Sequence, residues 1–225
     1  MAYDLLEHQS ADLRQQPLEQ RRELLEQLYQ SWIQQPETET TARLRLSATQ
    51  TLQRWSELDA VRDQARAKRA EGLMLKALDS PYLVGRKRGH WWKHKLEPLR
   101  LDAVLLYAQA GSGKRANLYT DYSFGLWNDD GELVTFAKAY SGLDDGEIRQ
   151  LDRWIRAHTT ERFGPVRAVE PLQVFELAFE GIQASKRHKS GFAVRFPRIS
   201  RWRSDKPASE ADSLASARAL MEQLA

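Results

Sequence analysis

Two lysines separated by one residue, Lys93 and Lys95, are the clearest sign of chemistry in the sequence, and they lie in the segment HWWKHKL. The segment predicts a β-strand, in which residues two apart point to the same face. The two ammonium groups would then lie about 6.5 Å apart, and they repel each other unless an anion lies between them. A phosphate is the natural anion. A solvent-exposed pair on an edge strand is the alternative.

A second basic segment, RFPRISRWRSDKP, lies near the end of the sequence. The arginine fork forms two parallel hydrogen bonds to phosphate oxygens, and an acid between cations can orient one of them. The pattern predicts a phosphate or nucleic-acid surface, with an ordinary basic loop as the alternative. Its charged residues are Arg195, Arg198, Arg201, Arg203, Asp205 and Lys206.

Two other patterns are set aside. The turn GSGK at 111–114 lacks the first glycine and the final Ser or Thr of a phosphate loop, because Ala108 and Arg115 stand there. His90 and His94 would lie about 13 Å apart along a strand, too far to hold one metal ion. We therefore expect a hairpin turn and surface or DNA-facing histidines.

The composition is that of a soluble globular protein with segregated charge. The 225 residues are 41% hydrophobic and 29% charged, with a net charge of +3 and no cysteine, which excludes disulfides and thiolate metal sites. Basic clusters such as Arg86, Lys87 and Arg88 are separate from acidic ones, which favours a phosphate-bearing partner. No apolar run approaches the roughly 20 residues needed to cross a bilayer. The start lacks a secretory signal, so we expect no membrane and a cytoplasmic location.

The pattern of elements predicts an α+β chain with a boundary at Pro98. Residues 1–97 predict a short strand at YDLLE, helices over 16–36 and 49–70, a strand at ARLRLSA, and strands at EGLMLKAL and HWWKHKL. Residues 98–225 predict five or so strands, one inserted helix at 141–159, and a terminal helix with Ser209 as its N-cap. That second pattern is typical of an OB-type β-barrel.

Four segments in order resemble the motifs of ATP-dependent DNA ligases, in the covalent nucleotidyltransferase superfamily. YDLL is similar to motif III, EGLMLK to motif IV, WWKHK to motif V, and RFPRISRWRSDK to motif VI. Later segments such as YTDYSFGLW and ELVTFAKAYSGL look particularly like a bacterial branch. The resemblance covers nearly the whole chain and implies part of an adenylation domain over 1–97, followed by an OB-fold DNA-binding domain over 98–225.

The resemblance also implies a reaction and roles for these residues. A lysine takes AMP from ATP, the AMP passes to the 5′-phosphate of a nick in duplex DNA, and the 3′-hydroxyl displaces it, with Mg²⁺ balancing charge. Tyr3 would pack on adenine, Glu71 would serve the metal, and Lys93 and Lys95 would hold the α-phosphate. Lys76 receives no role. The motif VI residues that would engage the pyrophosphate when the OB domain closes are Arg198, Arg203, Asp205 and Lys206. The basic residues that would bind DNA are Arg86, Lys87, Arg88, Arg195 and Arg201.

One motif of the family is missing from the sequence. No K-x-D-G, which carries the nucleophilic lysine, occurs in the 225 residues. We therefore expect the C-terminal portion of a ligase, which cannot form the enzyme–AMP intermediate by itself. Two alternatives stay open: a non-catalytic DNA-binding fragment, and an RNA ligase or capping-type relative. Protein partners are not indicated.

Overall fold

The structure is a computed structural model that describes residues 1–34, 43–68, 70–111, 113 and 116–224. These residues divide into two compact units, Met1–Leu96 and Glu97–Ala225. Each unit is described by itself below. Within the described part of the chain, no helix is long and apolar enough to cross a membrane. The secondary structure is mixed and mostly strand, so the predicted α+β class is confirmed.

The first unit combines one long helix with short strand pairs. Its elements are β1 (Glu7–His8), β2 (Ala11–Asp12), α1 (Leu18–Ile33), a 3-10 turn (Trp55–Glu57), α2 (Leu58–Asp63), β3 (Gly72–Lys76) and β4 (Trp91–Lys95). Pro17 precedes α1, a position that suits its fixed φ. The buried face of α1 is formed by Leu18, Arg21 and Leu25, at the spacing of one helical stripe.

Three predicted elements of the first unit are corrected. YDLLE is not a strand, since Ala2 makes only an isolated bridge to Leu46 and β1 begins at Glu7. ARLRLSA is likewise reduced to that bridge, and its Ala42 lies outside the described residues. The helix expected over 49–70 is limited to the 3-10 turn and α2, an α-helix of 6 residues. A segment with a periodic apolar pattern forms a full-length helix only where tertiary packing stabilises each turn.

The second unit is built around a seven-stranded antiparallel sheet. Its elements are β5 (Leu99–Ala110), β6 (Tyr119–Trp127), β7 (Leu133–Ala139), α3 (Asp145–Ala157), β8 (Thr159–Phe163), β9 (Val166–Val169), β10 (Val174–Phe179), β11 (Gly181–Ala184), β12 (Phe192–Arg195), β13 (Arg198–Trp202) and α4 (Leu214–Glu222). The main sheet has the order β13-β10-β5-β6-β7, with β9 pairing to both β5 and β8. Strands β11 and β12 form a separate hairpin. Bulges in the β5–β6 and β6–β7 pairs increase the bend of the sheet.

The core of the second unit is apolar and aromatic. Phe124, Phe175 and Leu105 are fully buried between the sheet and α3, which contributes Leu151 and Ile155. A capping box of Asp144 and Glu147 starts α3. The N-cap of the terminal helix α4 is Ser213, not the predicted Ser209, which lies in a 3-10 turn. The hairpin β8–β9 was not predicted. The expected GSGK turn joins β5 to β6, but its Ser112 and Lys114 lie outside the described residues.

Candidate phosphate-binding site

The hairpin of β3 and β4 places both lysines of the HWWKHKL segment on one face. Lys93 lies opposite Met74, and Lys95 lies opposite Gly72. Directly paired residues of antiparallel strands project to the same side, so the predicted common face is confirmed. A depression of about 180 Å³ lies along this face, lined by Glu71, Gly72, Leu73, Met74, Lys93 and Lys95.

Glycine at position 72 allows the close pairing at the start of this hairpin. Its φ is +139°, a conformation that side-chain-bearing residues rarely adopt. A Cβ atom there would collide with the carbonyl oxygen of His94. Only glycine fits this position, which brings the backbone of β3 against β4 beside Lys95.

Glu71 lies just before β3 and reaches towards the lysine pair. A carboxylate oxygen is 3.7 Å from Lys95 Nζ, and both side chains are partly exposed. Such a pair contributes little to stability, because solvent screens it. Among the described residues, no group of three or more His, Cys, Asp and Glu could hold a metal ion. A single carboxylate beside a phosphate site nevertheless fits Mg²⁺, which is commonly held by one or two carboxylates together with substrate phosphates.

Lys76, which the sequence left without a role, is held between two aromatic rings. Its Nζ lies 4.6 Å from the ring centroid of Tyr3 and 4.0 Å from that of Trp91. Burial lowers the pKa of Lys76, and nearby Asp4 opposes that shift. The Tyr3 ring is half exposed, and its hydroxyl shares a hydrogen bond with Tyr82, which raises the pKa of Tyr82. Cation–π contacts on both sides therefore fix Lys76 next to an accessible aromatic face.

A buried ion pair beneath this site was missed by sequence reasoning. Arg21 donates from Nε and Nη2 to the two carboxylate oxygens of Asp4, at 2.9 and 3.1 Å. The two side chains are 0% and 3% exposed. Arg21 also donates to the carbonyl oxygens of Gln16 and Ser80. The available signal was an arginine on the apolar stripe of α1, between Leu18 and Leu25, since such a residue needs a buried acid.

The predicted DNA-binding triad lies in the segment between β3 and β4. Arg86, Lys87 and Arg88 are all exposed there. His94, on the other face of β4, has its Nε2 at 2.9 Å from Asp59 Oδ1 and is not one of a metal-binding pair. This contact joins α2 to the back of the hairpin.

Motif VI of the second unit forms a cluster of ion pairs. Arg203 Nη1 and Lys206 Nζ each donate to Oδ2 of Asp102 at 2.8 Å. Asp205 binds the opposite edge of Arg203, with Nε at 2.9 Å from Oδ1 and Nη2 at 2.9 Å from Oδ2. That hydrogen bonding lowers the pKa of Asp205 to about 2. The sequence placed Arg203, Asp205 and Lys206 together but gave no sign of Asp102.

The other three predicted cations of the second unit lie on β13 and at the end of β12. Arg198 donates to Glu180 at 3.0 Å, and the exposed Arg201 lies opposite Glu176 on β10. Arg195 stacks on the ring of Phe196, 4.9 Å from its centroid. Phe196 is 62% exposed and has φ +51°. Arg195 and Phe196 therefore stand at the exposed turn between β12 and β13.

These features define a class of protein. A lysine-bearing hairpin with a flanking glutamate in one unit, and arginines paired with acids in the other, fit a two-domain protein that binds phosphate groups. The family model described as ATP dependent DNA ligase domain matches residues 1–95. The model described as ATP dependent DNA ligase C terminal region matches residues 115–206. The chain belongs to the ATP-dependent DNA ligase family, and its two units are an adenylation-domain part and an OB fold.

Relatives and solved structures agree with this assignment. A probable DNA ligase of Koribacter versatilis is 48% identical over 158 residues, which is 70% of this chain and 27% of the relative. A probable DNA ligase of Opitutus terrae is 38% identical, over 97% of this chain and 24% of the relative. The chain thus spans about a quarter of the length of these curated relatives. A solved Lig E DNA ligase shares the fold at a TM-score of 0.60 and 22% identity, covering 90% of this chain and 62% of that one.

Proposed function

We propose that this chain carries the phosphate-binding part of a DNA ligase active site together with an OB domain, and that it acts on nicks in duplex DNA. The observation that best supports this proposal is that Lys93 and Lys95 lie on one face of β4, with Glu71 beside them. In the sealing step, the 3′-hydroxyl attacks the adenylated 5′-phosphate. A bond forms from phosphorus to the 3′ oxygen, the bond to AMP breaks, and AMP leaves.

Each site residue has a role in this proposal. Lys93 and Lys95 hold the phosphate that joins AMP to its acceptor and offset its negative charge. Tyr3 offers its half-exposed ring to adenine. Glu71 would hold Mg²⁺ together with phosphate oxygens, and the metal would supply further charge neutralisation there.

The basic residues of both units serve phosphate groups in different ways. The motif VI cations are proposed to engage the pyrophosphate released when ATP is the AMP donor, and they are Arg198, Arg203 and Lys206. Asp205, the acid of the motif, acts through its contact with Arg203. Exposed cations away from this cluster are proposed to contact the DNA backbone without reading sequence, and they are Arg86, Lys87, Arg88, Arg195 and Arg201. The division at 97/98 into two domains and the cytoplasmic location remain predictions.

The missing K-x-D-G motif predicts a split in activity. Labelled ATP and a denaturing gel should show no covalent AMP adduct on this chain, because the nucleophilic lysine is not in its sequence. An adduct on the chain would contradict this. A nick that is already adenylated does not need that lysine.

Sealing of a 5′-adenylated nick therefore tests the proposal. We expect Mg²⁺-dependent joining of a pre-adenylated DNA nick and no joining of a 5′-phosphate nick supplied with ATP. Binding without any joining would favour the alternative of a non-catalytic DNA-binding fragment. Equal joining of an adenylated RNA nick would favour the RNA ligase alternative.

A further inference from the structure

Asp102, on the first strand of the OB domain, is a buried carboxylate with an unusual division of contacts. Its side chain is only 10% exposed. Oδ2 accepts hydrogen bonds from both Arg203 and Lys206. Oδ1 is buried and has no hydrogen-bond partner among the described residues. Within the described part of the chain, the hydrogen bonds to this buried carboxylate therefore all reach one oxygen and come from two motif VI cations.

The backbone around Asp102 is fixed independently of its side chain. Its N–H donates to Oδ2 of Asp212 at 2.7 Å, and its carbonyl oxygen accepts from the N–H of Asp212 at 2.8 Å. The strand is also paired, with Asp102 opposite Glu176 of β10. The backbone of Asp102 is thus held both by Asp212 and by its pairing with β10.

Arg203 presents its two edges to two different acids. Nη1 faces the buried Asp102, whereas Nε and Nη2 face Asp205, whose side chain is 62% exposed. The Nε–Nη2 edge is the fork that matches two oxygens of one phosphate group. Asp205 therefore covers with its carboxylate the edge that a phosphate would use.

The energetics distinguish these two acids. Withdrawing both cations from Asp102 would leave a buried, unpaired carboxylate, which is strongly unfavourable. Releasing Asp205 exposes its carboxylate to water, which costs little. A ligand can thus displace Asp205 from Arg203, because the released carboxylate is solvated. Displacing Asp102 would instead leave its carboxylate buried and unpaired.

We infer that Asp102 is a positioning residue that holds Arg203 and Lys206 in place for a phosphate ligand, while Asp205 occupies the ligand's place until it binds. The inference rests on the proposed phosphate-binding role of the motif VI cations. It adds to that role a residue from β5, which is more than 90 positions from motif VI in the sequence.

Two substitutions that remove the same charge test this. Asp102→Asn and Asp205→Asn each remove one negative charge beside Arg203, so simple electrostatics predicts tighter anion binding in both. We expect inorganic pyrophosphate, followed by titration calorimetry, to bind about tenfold more weakly to Asp102→Asn and severalfold more tightly to Asp205→Asn. Tighter or unchanged binding by Asp102→Asn would overturn the inference. So would failure of both the unsubstituted chain and Asp205→Asn to bind pyrophosphate.

A crystal structure of the unsubstituted chain with pyrophosphate provides a readout that does not depend on a variant folding. We expect pyrophosphate at Nε and Nη2 of Arg203, Asp205 displaced, and the contacts of Arg203 and Lys206 with Asp102 retained. An Asp205 still bonded to Arg203, or a broken Asp102 contact, would overturn the inference. If DNA sealing fails while these results hold, only the proposed ligation is contradicted, because pyrophosphate plays no part in sealing an adenylated nick.

Discussion

The charged side chains of the first unit include a buried ion pair and two lysines at a surface depression. Asp4 and Arg21 form a fully buried pair with every carboxylate oxygen engaged. Lys93 and Lys95 instead stand at a depression that a ligand can enter. The first arrangement fixes the segment that carries Tyr3. In the proposed site, the second places positive charge where a phosphate would bind.

Breaking the buried pair should destabilise the first unit. Arg21→Met leaves the Asp4 carboxylate, 3% exposed, without its partner, and we expect a loss of about 3–5 kcal/mol in the free energy of unfolding. Arg14→Met is the matched control, because Arg14 pairs with Asp12 at the surface, where both side chains are at least 50% exposed. Its loss should stay below about 1 kcal/mol. Urea denaturation measures both, and equal losses would contradict the assignment.

The ionisation of Asp205 reports its contact with Arg203. Its pKa in the folded chain is about 2, below the ordinary 3.8, chiefly because Arg203 donates hydrogen bonds to it. A lowered pKa stabilises the fold above pH 3.8, and this contribution is lost as the pH falls from 3.8 towards 2. At pH 3, carboxyl carbon NMR should find Asp205 mostly ionised, and mostly protonated in Arg203→Met.

Asp12 is the internal reference for that titration. Arg14 lowers the pKa of Asp12 to about 2 through the same kind of contact. Arg203→Met should therefore leave Asp12 ionised at pH 3. A parallel change at both carboxylates would indicate general unfolding, and an Asp205 that titrates normally in the unsubstituted chain would contradict the contact.

Residue roles could be predicted from sequence only where charge and spacing were local. The alternation of Lys93 and Lys95 follows from strand geometry alone, and the register of the hairpin confirms it. The partners Asp4 and Asp102 could not be found this way. Each lies 17 or more positions from the cation it binds. The periodicity of a helix or a strand relates only residues that are close in sequence, so it cannot pair them.

At the scale of elements, the hairpin of β3 and β4 depends on one glycine. Gly72→Ala would place a Cβ against the carbonyl oxygen of His94 and impose a strained φ. We expect the free energy of unfolding to fall by more than about 2 kcal/mol. Gly85→Ala is the control, since its φ of +79° is also strained but nothing lies within 4 Å of its Cβ position. Its cost should be about 1 kcal/mol, and an equal effect of the two would contradict the close approach.

The start of α4 gives a second test at this scale. Ser213 accepts a hydrogen bond from the N–H of Ser216 in a capping box, so Ser213→Ala should lower stability by about 1 kcal/mol. Ser209→Ala, at the position that the sequence favoured, should change stability by less than about 0.5 kcal/mol. Thermal unfolding compares them, and a larger effect at Ser209 would reverse the assignment.

Elements with strong periodicity were predicted well, and weak ones were not. The helix α3 and strands β5, β6 and β7 follow their apolar patterns closely. The hairpin β8–β9 is mostly exposed along β8, so it has little apolar alternation to show. The helix expected over 49–70 is short because its residues have few buried contacts to stabilise further turns.

At the scale of the whole molecule, the residues proposed to bind phosphate fall into two groups, one in each unit. The first holds the lysine pair with Glu71, and the second holds the motif VI cations, each tied to an acid of its own unit. Four sequence motifs in order predicted the family, and the family models confirm it. The ion-pair partners that set the state of these cations required the three-dimensional structure.

Equilibrium binding of two nicked duplexes tests the central claim most directly. If Lys93 and Lys95 hold the adenylated phosphate, the chain should bind a 5′-adenylated nick about tenfold more tightly than a 5′-phosphate nick. Lys93→Met with Lys95→Met should remove that preference. Lys87→Met, in the exposed loop, should weaken binding of both duplexes alike and keep the preference. A preference that survives the double substitution, or is absent from the unsubstituted chain, would contradict the account.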